Sequence, residues 1–531
     1  MQAAPEQEVP LAQGEFETSA KYRLFKGPKW NDTWAALLFL AHLGLLFAAA
    51  IYAVSSGRVY DKDTWYPWAR ADLQPDPGPS SDATVSMHHI SNALITDQST
   101  EASAGPALWD RSASGAHPPM VHTKVQAVVN APNATWGQTQ TIATTAAAGT
   151  IVVGSAGVAS AWLWMIAQHP LLWLRGLLAG YIGLFVAMFL GQIMMLKVAP
   201  VYAMFVLLLA PFYYLWWRLM WNRAQFSAII LQQSCRTVTG HKMTVGVAFL
   251  MIIVSGFYKV VWVLASNLTT QAWHLAPLLV GVIWSELIFI NIAHTTVCGV
   301  AATDFFVPDG VTRPVWGAFR RTCTYSLGSI CFGSAVVTLL RTLRAVVHMG
   351  RAQASQKKNL ALILIACCIE CLLGMLESLI EYCNHYAYVQ VAMYGKSFVT
   401  AAKDTWRLVQ SSGMDALIND MIIGTAVGMC TLLSSLVVGA VASGAAYLMA
   451  NSWWSDCADG SAAVAAYTIA VGVPAFIVVL VIHKVVFSAL DSAVVTFFVC
   501  FAEEPEVLAL KHPELNIEIN TRVNAYLNSS L

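Results

Sequence analysis

Long apolar runs, nearly free of charged residues, account for most of this sequence. An α-helix needs about 20 apolar residues to cross the hydrocarbon core of a bilayer, and about ten runs reach that length. A hydrophobic fraction of 57%, with only 11% charged residues, excludes an ordinary soluble protein. The sequence therefore predicts an all-α, polytopic transmembrane bundle of about ten helices, with one large extracellular loop.

The polar segment 1–32 carries basic residues just before the first apolar run. Basic residues that flank a first transmembrane helix tend to stay cytosolic, so we expect the N-terminus inside, with no removable signal peptide. The first helix is predicted at 33–54 and a large extracellular loop, rich in Pro, Ser, Ala and Thr, at 55–147. A transport bundle at 148–502 and a cytosolic tail at 503–531 complete the predicted organisation.

Two Asn-x-Ser/Thr acceptors fall on the predicted outer side, at Asn133 in the loop and at Asn267 between two runs. We therefore expect a glycoprotein that is modified at these two positions. Most of the 11 cysteines lie in or beside apolar runs, so no disulfide framework is expected.

The run at 325–348 breaks the alternation of inside and outside, because a full crossing would place Arg351, Lys357 and Lys358 outside. Its start is rich in small residues, which suits close helix contact or a broken helix that lines a cavity. We therefore predict a re-entrant or strongly tilted segment here. Earlier crossings are predicted at 149–167, 171–196, 200–222, 242–264 and 274–302, and later ones at 359–382, 385–403, 417–449 and 464–500.

Acidic residues inside one apolar run are the first candidate site residues, since a charge at membrane depth is costly and usually functional. Glu370, Glu377 and Glu381 share one helix face at i, i+7 and i+11. We predict that Glu377 binds substrate and that Glu370 takes part in charge pairing or proton coupling. The alternative is that Glu381 is interfacial and Glu370 pairs with a basic residue for structure alone.

Lys484 and Asp491 share a face of the last long run, seven residues apart and next to His483. An intramembrane lysine needs a carboxylate partner, so we expect Lys484 to contact a glutamate on another helix. This charged centre is a candidate for charge pairing or proton coupling, and purely structural pairing remains open.

Glu286 follows Trp284 in another apolar run. A carboxylate beside an aromatic ring suits a cation that carries methyl groups, because the ring face attracts the charge and the acid neutralises it. Trp284, Tyr325 and Tyr394 are the predicted aromatic partners, although most membrane Trp and Tyr residues serve packing. No cofactor or metal is expected, since the Cys368/Cys371 pair has no second pair, and no basic block indicates nucleic acid.

The C-terminal third carries the motif Asn384-His385-Tyr386-Ala387-Tyr388-Val389, followed by 392–398 and 401–404. This stretch resembles the signature of the choline transporter-like family, and 326–334 and 491–506 resemble its neighbouring elements. The similarity is greatest to the fungal and protist branch. It implies a ten-helix plasma-membrane carrier of choline or a choline-like organic cation, with proton exchange in some members. The chain differs from many animal members in lacking cysteine in the outer loop.

We therefore predict a transporter, not an enzyme, whose partners are a small organic cation, the lipid bilayer and protons. The substrate is expected near midplane, between the Glu286 helix, the 325–345 segment and the 385–403 helix. Three alternatives stay open: a carrier of another small solute, a membrane enzyme of head-group transfer, and a non-transporting scaffold. The enzyme would need clustered aspartates to hold Mg²⁺, which the sequence does not provide. An endomembrane location also stays open.

Overall fold

The computed structural model describes residues 30–56, 138–180, 224–268, 272–307, 311–412, 414–454 and 460–511, with 183, 215, 218, 513, 514, 516, 517 and 521 as isolated positions. All regular elements in these residues are helices. Residues 57–137 of the predicted loop 55–147 and most of the predicted crossings 171–196 and 200–222 lie outside the described residues. The loop was predicted to extend too far, because residues 138–147 are already helical.

Eleven described helices are labelled in chain order, and two further helical stretches occupy 170–180 and 224–240. The labelled helices are α1 (Thr33–Ser55), α2 (Gln138–Gln168), α3 (Met243–Ser266), α4 (Ala272–Phe306), α5 (Pro314–Cys323), α6 (Leu327–Gln356), α7 (Leu360–Tyr394), α8 (Phe398–Ser412), α9 (Met414–Trp454), α10 (Gly460–Glu503) and α11 (Pro505–Lys511).

Eight described helices are long and apolar enough to cross a membrane, namely α1, α2, α3, α4, α6, α7, α9 and α10. Such helices satisfy their own backbone hydrogen bonds, which a bilayer interior requires. This finding confirms the predicted polytopic helical bundle.

Helix α6 runs without a break through the segment that was predicted to be re-entrant or strongly tilted. The re-entrant alternative is wrong, because the chain continues for 30 residues before it turns back into α7. Asn359 caps the start of α7, because its side chain accepts a hydrogen bond from Leu362 N. Gly395, in the left-handed conformation (φ 61°), caps the end of α7.

The crossing predicted at 359–382 lies within α7, one of the helices long and apolar enough to cross a membrane. The separate crossing predicted at 385–403 is wrong, because α7 continues without a break to Tyr394. The boundary between the two predicted crossings fell at 383–384. Asn384 is instead inside the bundle, where it is buried and its amide donates to the Gly333 carbonyl of α6 at 3.1 Å. The amphipathic helix α8 follows a short connection.

Helix α4 occupies the centre of the bundle and packs against α3, α6, α7 and α10. Two large groups of buried apolar residues meet at α4 and α7. In the first group, residues of α4 and α7 pack against residues of α2, α9 and α10. In the second group, other residues of α4 and α7 pack against residues of α1, α3 and α6. The cavity described below lies where these two groups meet.

The starts of α1 and α6 and the connection between α7 and α8 meet at one end of the bundle, which we call the basal end. Asp32 accepts hydrogen bonds from the Ser329 hydroxyl at 2.7 Å and from Phe398 N at 2.9 Å. The Asn31 amide donates to the Gly395 carbonyl at 2.6 Å. These contacts fix the first described residues to two other helices.

Candidate functional site

A cavity of about 460 Å³ lies between α3, α4, α7 and α10. Its lining combines apolar side chains with a set of polar ones that come from all four helices. The polar lining residues are Ser255, Glu286, Asn291, His294, His385, Lys484, Ser488, Asp491 and Ser492. A cavity that combines an apolar lining with polar groups from several elements is typical of small-molecule sites.

A carboxylate and an ammonium form an ion pair beside this cavity. Glu286 Oε2 on α4 lies 2.9 Å from Lys259 Nζ on α3, and it accepts a hydrogen bond from the Ser255 hydroxyl at 2.5 Å. Ser255 and Lys259 are one helical turn apart, so both face α4. The side chains are partly exposed, 35% for Glu286 and 52% for Lys259. Glu286 also lines the cavity, so a cation that enters the cavity can approach its carboxylate.

Two stacked histidines lie farther along the same cavity. The His294 and His385 rings are 3.9 Å apart at an angle of 20°. His385 Nε2 lies 3.1 Å from Asp491 Oδ2, and His294 is hydrogen-bonded to the Ser492 hydroxyl at 2.8 Å. These contacts between side chains join α4, α7 and α10.

Lys484 lines the cavity, but it does not contact a glutamate as predicted. Its side chain is exposed, and the described residues provide it with no ion pair or hydrogen bond. Glu286 pairs with Lys259 instead, because α3 and α4 are packed neighbours. The expected contact between Lys484 and a glutamate is therefore wrong for the described residues.

The three acidic residues of α7 all face α6, where they form an ion-pair ladder outside the cavity. Glu377 lies 3.1 Å from Arg341 Nε and 3.2 Å from Arg344 Nη1. Glu381 also contacts Arg341, at 2.5 Å. Glu370 pairs with Arg351 and His348, each at 2.9 Å. These contacts support the structural alternative for the acidic stripe.

The predicted aromatic partners are dispersed, and none of them lines the cavity. Trp284 is buried and donates from Nε1 to the Cys331 carbonyl at 3.0 Å. Tyr325 packs edge-on against Trp30, and the Tyr394 hydroxyl donates to Glu503 at 2.9 Å. Among the described lining residues, the aromatic rings belong to Phe289 and to the histidines His294 and His385.

The predicted site residues thus fall into separate groups. Glu286, Lys484 and Asp491 line one cavity, whereas Glu370 and Glu377 belong to the ladder. Among the glycosylation candidates, Asn133 lies outside the described residues, and Asn267 is half-buried just after α3.

Lys259 and His385 were not among the predicted site residues. Lys259 is the one charged residue between 243 and 266, so the criterion that selected Glu286 would also have selected it. His385 had no such signal, because its partner Asp491 is distant in the sequence.

A family model described as plasma-membrane choline transporter matches residues 202–506, which is more than half of the chain. The chain belongs to the choline transporter-like family. All four helices around the cavity lie inside the matched range, so the cavity is built from the part of the chain that defines the choline transporter-like family.

Curated relatives of the same family come from fungi and carry the name Protein PNS1. The protein from Mycosarcoma maydis is 34% identical over 239 residues, 44% of this chain and 43% of its own. The Saccharomyces cerevisiae protein is 34% identical over 235 residues, 43% and 42% of the two chains. The Debaryomyces hansenii protein is 28% identical over 323 residues, 56% and 61%. The chain therefore spans less than two thirds of the length of these relatives, and their origin confirms the predicted fungal resemblance.

Proposed function

We propose that this multi-pass membrane protein transports choline or a choline-like organic cation, and that the cation binds at Glu286 in the cavity. The observation that carries the proposal is the Glu286–Lys259 pair, in which a carboxylate beside a cavity already holds an ammonium at 2.9 Å. The cavity volume, about 460 Å³, is within the range of small-molecule sites.

The lining suits a quaternary ammonium in particular. Such an ion donates no hydrogen bond, so its recognition depends on charge, on ring faces and on apolar contact with its methyl groups. Glu286 supplies the charge, Phe289 supplies a ring, and the apolar lining supplies the contacts. The apolar lining residues include Met251, Ile252, Ile290, Val481 and Val485.

Proton exchange is assigned to the histidine group of the same cavity. A proton held between His385 and Asp491 adds a positive charge to the cavity that contains the cation site. Like charges in a poorly solvated cavity repel each other, so a bound cation and a bound proton oppose each other. Such opposition is reciprocal, and it is the coupling that an exchanger needs.

Alternating access would use the boundary between the two buried groups. Of the four helices that line the cavity, α3 belongs to one of the two groups of buried apolar residues and α10 to the other, while α4 and α7 belong to both. Movement of one group against the other would open the cavity toward opposite sides of the membrane. We place the basal end in the cytosol, by the basic residues of α5 and of the region before α3, and the protein in the plasma membrane.

The test is uptake of labelled choline by proteoliposomes that contain the purified full chain, at matched and at opposed pH. We expect saturable uptake that unlabelled choline competes away and that a proton gradient accelerates. Protein-free vesicles provide the background. If folded protein takes up choline no faster than empty vesicles, the choline assignment is wrong, and the same vesicles then serve to test other solutes.

A further inference from the structure

A second cavity, of about 670 Å³, lies between the start of α3 and the region around α5. Its basic lining residues are His241, Lys242 and Arg313, and none of the other described residues that line it is acidic. The apolar lining includes Val247, Leu250, Val315, Trp316 and Phe319. This cavity has no part in the proposed transport site, which lies farther along α3.

The positive charge of this cavity is not neutralised by the described residues. Neither Lys242 nor Arg313 has a side-chain hydrogen bond or ion pair with them. His241 differs, because its Nε2 lies 3.8 Å from Asp304 Oδ1. Lys242 and Arg313 are therefore the two groups available to bind an anion.

The apolar part of the cavity continues along a membrane-spanning helix. Met243 and Leu250 line the cavity and are 69% and 43% exposed. Ile253 and Phe257 continue the same face of α3 at helical spacing and are 68% and 61% exposed. Trp316, 63% exposed, stands on α5 opposite this face. Exposed apolar residues of a membrane-spanning helix face lipid, so the cavity joins a charged end to a lipid-facing stripe.

We propose that this cavity binds one anionic phospholipid of the cytosolic leaflet, with its phosphate between Lys242 and Arg313. One acyl chain lies along the Met243–Leu250–Ile253–Phe257 stripe of α3. The charge complementarity and the apolar stripe together select an amphiphile over a free anion, which would leave the stripe unused. Basic clusters at the cytosolic face of transmembrane helices are typical sites for anionic head groups.

The test is native mass spectrometry of the purified full chain in detergent, titrated with phosphatidylserine or with phosphatidylcholine of the same acyl chains. We expect one phosphatidylserine to bind with saturation and phosphatidylcholine to bind more weakly. Because one basic residue near a membrane surface contributes about 1 kcal/mol, Lys242→Gln and Arg313→Gln should each weaken binding about fivefold. The charge-conserving variants Lys242→Arg and Arg313→Lys should retain binding.

Lys403→Gln is the matched control, since Lys403 is an exposed lysine of α8 that does not line the cavity. It should bind phosphatidylserine as the unchanged protein does. Equal binding of phosphatidylserine and phosphatidylcholine, or undiminished binding in the Lys242→Gln/Arg313→Gln variant, would overturn the proposal. Displacement of the lipid by millimolar inorganic phosphate would also overturn it, because the cavity would then be a site for a free anion.

Discussion

The Lys259 ammonium lies 2.9 Å from Glu286 Oε2, so the carboxylate proposed to bind the substrate already has a cation of the protein beside it. Lys259 is fixed to α3 and cannot leave with the substrate. A substrate cation must therefore compete with Lys259 for Glu286, and the ion pair re-forms when the cavity empties. This arrangement keeps the carboxylate neutralised at membrane depth, where an isolated charge is costly.

Removal of the Lys259 charge should make the cavity bind cations more tightly. Partly exposed ion pairs contribute about 0–1 kcal/mol, so Lys259→Gln should lower the KM for choline by up to about fivefold. Initial rates of uptake into proteoliposomes measure this change. Lys259→Arg keeps the positive charge and is the control, with a KM near that of the unchanged protein. An unchanged or increased KM in Lys259→Gln would show that Lys259 does not compete with the substrate.

Proton coupling should depend on the pair of His385 and Asp491. We expect Asp491→Asn and His385→Gln to abolish the acceleration of uptake by a pH gradient, while uptake down a choline gradient at matched pH continues. The physical reason is that each change removes one partner of the 3.1 Å contact that would hold the proton.

The control for this experiment is His348→Gln, which changes a histidine of the ladder between α6 and α7. It should retain the response to a pH gradient. Full gradient acceleration in both Asp491→Asn and His385→Gln would exclude this pair as the coupling site.

Glu377 should matter for stability and not for substrate affinity. Its side chain is 12% exposed and its carboxylate contacts Arg341 and Arg344, so Glu377→Gln leaves two partly exposed arginines with weaker partners. We expect a loss of about 1–2 kcal/mol and a lower Tm, with an unchanged KM for choline. A thermal shift assay in detergent and uptake kinetics measure the two quantities. A raised KM at an unchanged Tm would instead return Glu377 to the substrate site.

The stability of the protein should depend on the size of residue 328, which lies at the basal end. A Cβ at Gly328 would collide with the backbone carbonyls of Asn31 and Asp32, whereas a Cβ at Gly350 on the same helix would meet nothing. Gly328→Ala should therefore lower stability by about 1–3 kcal/mol. Gly350→Ala should leave it unchanged or raise it slightly, because alanine favours a helix. Equal Tm values for the two variants would contradict the close contact between α1 and α6.

The sequence predicted the helical bundle well, because apolar length directly reports the ability to cross a membrane. It failed where polar residues lie inside a helix. Asn384 was placed near a boundary between two crossings, yet its amide bonds to the Gly333 carbonyl and the helix continues. Only the neighbouring helix satisfies that amide, and the sequence of α7 alone does not contain this information.

The site was predicted in part for a similar reason. Glu286 and Asp491 were selected because each is a charge in an apolar run, and both line the cavity. Glu377 met the same criterion equally well but faces Arg341. A charged residue inside an apolar run can be recognised from the local sequence. The residue that pairs with it depends on how the helices pack.

The most direct test of the substrate site is equilibrium binding of labelled choline to purified protein in detergent, with Glu286→Gln and Glu381→Gln compared in parallel. Glu381 is the matched control, because its partner Arg341 also contacts Glu377 and stays paired without it. We expect saturable binding to the unchanged protein and to Glu381→Gln. Glu286→Gln should bind choline at least about tenfold more weakly, which corresponds to a loss of about 1.4 kcal/mol of binding free energy. Choline binding of equal strength in Glu286→Gln would contradict the assignment of the cavity as the substrate site.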